Sequence, residues 1–276
     1  MQEKGIVMIK IKDLYVYPVK SCKGIRVEEI ELAATGFVDD RNWMVINDQN
    51  AYISQREQPT LALVEPKIMK DKLSLTAPGM PMLEIQRNAK NGEKIEVDLF
   101  GEKMSSLSAG SEACAWFSKY LGGDYRLVTC DPNFVRKGGV QYPARDEAPT
   151  SFTDNYGILV ISEASREDLN KRLVSGVPMN RFRPNIVVEG VDPYGEDYFA
   201  LASTSDVTLR FVDICYRCNL TTIDQEKAEF GQEPLLTLGR YRNSKIGVRF
   251  GNYAAVAGGI GKTLRAGAPL EIALNF

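Results

Sequence analysis

A mainly β protein of the α+β class is what this sequence predicts, built as two β-dominated units that carry a few helices. Three observations carry that prediction. Short apolar runs bounded by turn residues recur through both halves of the chain, and helical periodicity is confined to two stretches. The length of 276 residues suits about two domains, because a chain near 300 residues buries roughly three-quarters of its unfolded surface.

Met8-Ile9-Lys10-Ile11-Lys12 alternates apolar with charged and reads as a half-buried strand. It ends at the break Tyr17-Pro18-Val19-Lys20-Ser21, which leaves Lys20 and Ser21 on a loop. Arg41-Asn42-Trp43-Met44-Val45-Ile46 continues the β pattern, and Asn47-Asp48-Gln49-Asn50 turns the chain before Ala51-Tyr52-Ile53. Short strands are predicted over 61–64, 73–76, 82–85 and 95–99, a spacing that predicts a sandwich or barrel. A helix starts at Ser111: Trp116, Phe117, Tyr120 and Leu121 share one face, and Gly122-Gly123 stops it.

The stretch 131–150 carries charges, prolines and the pair Gly138-Gly139 without a steady period. It reads as a mobile connection, dividing the chain into units 1–130 and 131–276. A strand over 158–161 leads to a helix capped by Ser162 or Ser165, with i,i+4 pairs Glu167/Lys171 and Asp168/Arg172 outside and Leu169 and Leu173 inside. Strands over 186–188, 207–212, 245–250 and 269–273 make the second half mainly β as well.

Composition removes several function classes. Lys and Arg number 34 against 36 Asp and Glu, with no long run of either sign, so neither a nucleic-acid nor an anionic-membrane footprint is expected. The N-terminus begins neither a secretory segment nor an apolar span, which predicts a cytoplasmic protein. Histidine is absent, which excludes Ser-His-Asp and Cys-His catalysis, histidine-type zinc sites and histidine-ligated haem. Five scattered cysteines are unlike a disulfide framework, so reduced thiols are expected. The chemistry must use thiols, carboxylates, guanidiniums or a cofactor.

Two motifs need weighing. Gly258-Gly259-Ile260-Gly261-Lys262-Thr263 resembles the end of a phosphate-binding loop, but Val256 stands where that loop needs glycine, so a turn is the better reading. Cys215-Tyr216-Arg217-Cys218 lacks a second thiol pair or histidine for zinc, and Asn219-Leu220-Thr221-Thr222-Ile223-Asp224 favours extended structure over the helix a thioredoxin-type dithiol would want. Cys215 reads as a small buried hydrophobe, the commonest fate of a free cysteine. Cys218 follows Arg217, whose charge would favour a thiolate suited to a soft metal. If a phosphate-bearing cofactor is bound, Lys20, Ser21, Arg41 and Arg183 fit the kind of group that would hold it, although each taken alone reads as an ordinary solvated charge and spacing does not bring them together; Arg183, preceding Pro184, is expected in extended geometry.

Taken together, Tyr17-Pro18-Val19-Lys20-Ser21-Cys22-Lys23-Gly24, Asp40-Arg41-Asn42-Trp43, Arg183-Pro184-Asn185-Ile186-Val187-Val188 and the run from Cys215 to Asp224 resemble the family of the mitochondrial amidoxime-reducing component and its bacterial relatives. These proteins have an N-terminal β-barrel-like domain followed by a MOSC domain, named after the C-terminus of molybdenum cofactor sulfurase. The resemblance runs nearly end to end, and four motifs in one order are far more specific than any one.

The resemblance implies a molybdenum–molybdopterin cofactor in the cleft between the domains, with Cys218 as catalytic metal ligand. Lys20, Ser21, Arg41 and Arg183 would hold the pterin and its phosphate, Tyr216 and Arg217 would line the site, and Asn155 and Tyr156 match a binding stretch more loosely. It also implies two-electron reduction of amidoximes, hydroxamic acids and N-hydroxylated bases, with electrons from a separate flavin, haem or iron–sulfur protein. A carrier or sulfur-transfer protein using Cys218 is the alternative, and inert thiols in a structural β protein a third.

Overall fold

The computed structural model describes residues 6–87, 91–138 and 148–275. Alternation lets strand β1 (Ile6–Val16) bury Ile9, Ile11, Leu14 and Val16. It is followed by β2 (Ile25–Val27), β3 (Glu29–Ala33), β4 (Gly36–Phe37) and β5 (Trp43–Asn47). A three-stranded meander, β6 (Glu65–Ile68), β7 (Lys72–Thr76) and β8 (Leu83–Gln86), precedes β9 (Lys94–Leu99) and β10 (Glu102–Ser108). Helix α1 (Ser111–Leu121) then leads to β11 (Tyr125–Cys130). Strands β5, β11, β10 and β9 form one sheet in that order.

Helix α1 is where the periodicity puts it, with Trp116 and Phe117 buried and Gly122 ending it at φ 72, a conformation glycine takes without a Cβ penalty. Its apolar face packs with Trp43, Val45, Leu61, Leu73 and Leu127 into the core of the first half.

The short pair β12 (Arg136–Lys137) and β13 (Pro149–Thr150) comes from the stretch predicted as a connection, of which 139–147 lie outside the described residues. Next come β14 (Ile158–Ser162), α2 (Glu163–Asn170), β15 (Ile186–Glu189), β16 (Phe199–Ser203), β17 (Thr208–Arg217), α3 (Leu235–Tyr241), β18 (Val248–Gly258), β19 (Thr263–Arg265) and β20 (Pro269–Leu274). Ser162 caps α2, accepting from the backbone N–H of Ser165 at 3.0 Å.

The order β15-β14-β18-β17-β16-β20-β1, closed by pairing of β1 with β15, makes a seven-stranded barrel. The first strand is thus built into a barrel whose other six strands lie beyond residue 157. A register shift between Ile11 and Asp13 bends β1, so that its first part pairs with β20 and its later part with β15. Ile9, Ile11, Val160, Val188, Leu209 and Ile272 are among the residues that fill this core.

The fold departs from expectation locally, and the strand expected over 245–250 begins only at Val248. Residues 61–64 are not a strand but belong largely to a 3₁₀ turn, Pro59–Leu63, where proline's fixed φ at the first turn suits the tighter helix. Asn219–Thr222 is likewise a 3₁₀ turn, because the hydroxyls of Thr221 and Thr222 donate back to the carbonyls of Cys218 at 3.0 Å and Asn219 at 2.8 Å.

Candidate functional site

The loop after β1 turns tightly around Tyr17. Its backbone N–H donates to Asp40 Oδ1 at 2.8 Å, and its ring is buried. Gly24 permits this, since a Cβ there would lie 2.4 Å from Tyr17 Cε1. The ring supports two guanidiniums, with Arg41 Cζ at 4.2 Å and Arg183 Cζ at 4.4 Å from its centroid. Arg41, just before β5, donates to Asp40, to Asn185 Oδ1 at 3.0 Å and to the Arg183 carbonyl at 3.1 Å. The DRNW and RPN motifs therefore meet through one side chain.

Arg183 is not extended. Its φ is 56, and Ser21 and Arg41 also lie in the left-handed region at φ 68 and 47. The preference conferred by Pro184 is overridden by two bonds that fix the peptides around Arg183, from Arg41 to its own carbonyl and from Arg217 Nη2 to the Phe182 carbonyl at 2.7 Å. Three of the four predicted anion-binding residues thus occupy backbone conformations that non-glycine residues rarely adopt.

Lys20 is buried, and its Nζ donates to the Phe152 carbonyl at 2.9 Å and to Asp154 Oδ1. Burial lowers its pKa to about 8, against the opposing pull of Asp154. Asp154 moves the other way: partial desolvation at the cavity wall disfavours its charge, but Lys20, Arg41 and Arg56 outweigh that and hold the carboxyl well below its usual range. The segment carrying Phe152 and Asp154 is pinned from behind by Arg136 Nη1, which donates to the carbonyls of Ser151 at 3.2 Å and Thr153 at 2.7 Å.

Cys215 and Cys218 differ sharply. Cys215 is buried, its thiol pushed up by burial, and its Sγ accepts from Arg217 Nη1 at 3.0 Å. Cys218 is exposed, following the end of β17. The guanidinium expected to serve Cys218 is therefore hydrogen-bonded to the other cysteine. Arg181 steadies the chain beyond Cys218, donating to the Thr222 carbonyl at 2.9 Å and Asp224 Oδ2 at 3.0 Å.

Lys20, Ser21, Arg41, Tyr156, Arg183, Tyr216, Arg217 and Cys218 line one cavity formed by both halves, whereas Asn155 is buried beside Tyr156 and does not line it. The sequence reading missed Arg56 and Asp154, which line it too. Neither sits in a motif with chemistry of its own, and only the folded chain brings them to Cys218. Lys20, Arg41, Arg56, Arg183 and Arg217 face one lining carboxylate, Asp154, among the described residues. Arg183 is 8% exposed, its pKa is lowered by burial to about 10, and its buried Nη2 has no hydrogen-bond partner. A buried cationic donor left unpaired is costly, and an anion accepting from it would remove the cost.

No group of three or more His, Cys, Asp or Glu among the described residues could hold a metal ion. A metal bound by Cys218 would have to bring its other ligands with it, and the donor set fits such a group: one accessible thiol and several cations for an anionic tail. No helix among the described residues is long and apolar enough to cross a membrane.

Comparison with known proteins gives matches along both halves. Residues 8–124 match the family model described as MOSC N-terminal beta barrel domain, and residues 147–271 match the MOSC domain. Mitochondrial amidoxime reducing component 2 of Bos taurus is 34% identical over 241 residues, which cover 84% of this chain and 72% of that protein. Mitochondrial amidoxime-reducing component 1 of Homo sapiens is also 34% identical, over 242 residues, with the same two coverages. Molybdenum cofactor sulfurase of Oryza sativa subsp. japonica is 30% identical over 302 residues, covering 98% of this chain and 35% of that protein.

Proposed function

This chain belongs to the family of MOSC-domain proteins that includes the mitochondrial amidoxime-reducing components, and from that membership we propose that it is a molybdenum-dependent reductase of N-hydroxylated compounds. The observation that carries the proposal is the pairing, in one cavity, of the exposed thiol of Cys218 with the unpartnered Nη2 of Arg183. A single soft ligand and a buried cation awaiting an anion are what a metal held by a phosphate-bearing dithiolene pterin requires.

In this reading Cys218 ligates the metal, and Lys20, Ser21, Arg41 and Arg183 hold the pterin and its phosphate. Tyr216, Arg217 and Tyr156 line the site, and Asn155 supports it from beneath the surface. When bound, the cofactor supplies the two-electron chemistry that removes the oxygen of an N–O bond. The chain's own residues do the rest by position. Arg41 and Arg183, stacked on Tyr17, present fixed positive charge that needs no rearrangement on binding. Arg217 anchors the end of β17 to Phe182, holding Cys218 beside the Arg183 segment. Electrons would arrive from a separate flavin, haem or iron–sulfur protein.

The test is turnover. Protein purified from a cofactor-competent host should contain about one molybdenum and one pterin per chain and reduce benzamidoxime with a dye reductant. Bound cofactor without turnover would favour a cofactor carrier or sulfur-transfer protein, the reading supported by likeness to the sulfurase. Absence of both cofactor and turnover would overturn the proposal.

A further inference from the structure

Two charged side chains in the cavity are not absorbed by the anion-binding set. Asp154 pairs through Oδ1 with Lys20, yet its side chain remains 59% exposed whereas that of the lysine is 6% exposed. Arg56 comes from the opposite half and is fixed from behind. Its Nε donates to Ser54 Oγ at 3.1 Å, its Nη2 donates to Tyr52 Oη at 2.5 Å, and its guanidinium lies 5.9 Å from the centre of the Tyr52 ring. Nη1 is committed to neither partner, and Arg56 lines the same cavity as Asp154 and Cys218. A carboxylate kept ionised by surrounding cations gains nothing from a phosphate or a dithiolene, which repel it. It is suited to accept a hydrogen bond from a ligand N–H.

Hydroxamic acids and amidoximes carry an oxygen acceptor and an N–H donor within one planar group. We propose that Arg56 and Asp154 form a donor–acceptor pair that reads this group in the substrate, Arg56 donating to its oxygen edge and Asp154 accepting from the N–H. The inference rests on the reductase reading and deepens it: the favoured substrates are those that keep an N–H on the N-hydroxylated amide or amidine group, and N-alkylated analogues are disfavoured.

The test is a calorimetric titration of the oxidised, cofactor-loaded protein without reductant, so that nothing turns over. Benzhydroxamic acid is compared with its N-methyl derivative, which keeps both oxygens and loses only the N–H. Wild type should bind the N-methyl compound about tenfold more weakly, the worth of a hydrogen bond to a charged group. In Asp154→Ala the two affinities should become equal, and Asp154→Asn, which keeps a neutral acceptor and the side-chain volume, should retain part of the difference. Arg56→Gln should weaken both ligands alike. Equal binding of the two compounds by wild type, or a ratio unchanged in Asp154→Ala and Asp154→Asn, would overturn the pair. Metal and pterin content are measured on the same samples and the titration is run whatever they show, so failure of the cofactor reading is seen separately.

Discussion

Gln55 and Gln225 exchange two amide hydrogen bonds between the halves of the chain, Gln55 Nε2 to Gln225 Oε1 at 3.0 Å and Gln225 Nε2 to Gln55 Oε1 at 2.8 Å. Both are buried, and Gln55 also donates to the Ser21 carbonyl at 2.7 Å. The pair therefore ties the loop of Ser21 to the segment that follows Cys218. Replacing Gln225 by Ala leaves the buried Gln55 Oε1 without its donor, while Nε2 keeps the Ser21 carbonyl, and should cost about 1–3 kcal/mol, read as a lower urea midpoint. An unchanged midpoint would show that the amides are satisfied in another way.

Lys20 gives a pH signature with two opposite signs. Its pKa in the folded chain is about 8, below the ordinary 10.5, because burial disfavours the charge. Below pH 8 the lysine is protonated in both folded and unfolded chains, and its buried charge weighs against folding. Between about pH 8 and 10.5 the unfolded chain keeps a proton that the folded chain has released, so stability rises with pH. Relative to Lys20→Met, cofactor-free wild type should gain on the order of 2–3 kcal/mol across that window. Phosphate or pterin affinity should fall over the same window as the cation is lost. Parallel stability curves for the two proteins would contradict the assignment.

Arg183 should trade stability for binding. With Nη2 unpaired and the guanidinium desolvated, Arg183→Met should leave the cofactor-free protein within about 1 kcal/mol of wild type or more stable. Pterin retention after gel filtration should nonetheless drop about tenfold, through loss of a charge-assisted contact. Full retention would remove Arg183 as an anchor.

The two cysteines should separate cleanly. Cys215→Ala loses a buried sulfur and leaves Arg217 Nη1 without its acceptor, so a destabilisation of about 1–2 kcal/mol with retained activity is expected. Cys218→Ala removes an exposed side chain, so stability should stay within about 0.5 kcal/mol while turnover disappears. Equal loss of activity in both would favour a working dithiol.

Much of this architecture was legible in the residues, and what was not has a physical reason. Helix α1 follows from local periodicity, and of the two serines that could cap α2, Ser162 and Ser165, it is Ser162 that does so. The convergence of Lys20, Ser21, Arg41, Arg183 and Cys218 was implied by motif resemblance, and no spacing rule could have supplied it. The membership of β1 in the barrel is a long-range pairing decided by the register of Leu14 with Ile186 and of Ile9 with Leu270, to which a local pattern is blind. The left-handed backbone of Arg183 was misread because the effect of Pro184 is a weak local preference, while the bonds from Arg41 and Arg217 are tertiary. Arg56 and Asp154 escaped notice for the same reason: each is an ordinary charge until the fold brings it to Cys218.

Molybdenum K-edge X-ray absorption of wild type and Cys218→Ser decides whether Cys218 binds the metal. The variant is expected to retain pterin and lose one sulfur neighbour from the metal, while Cys215→Ala keeps the wild-type spectrum. An unchanged sulfur count in Cys218→Ser with full molybdenum content would contradict Cys218 as the ligand.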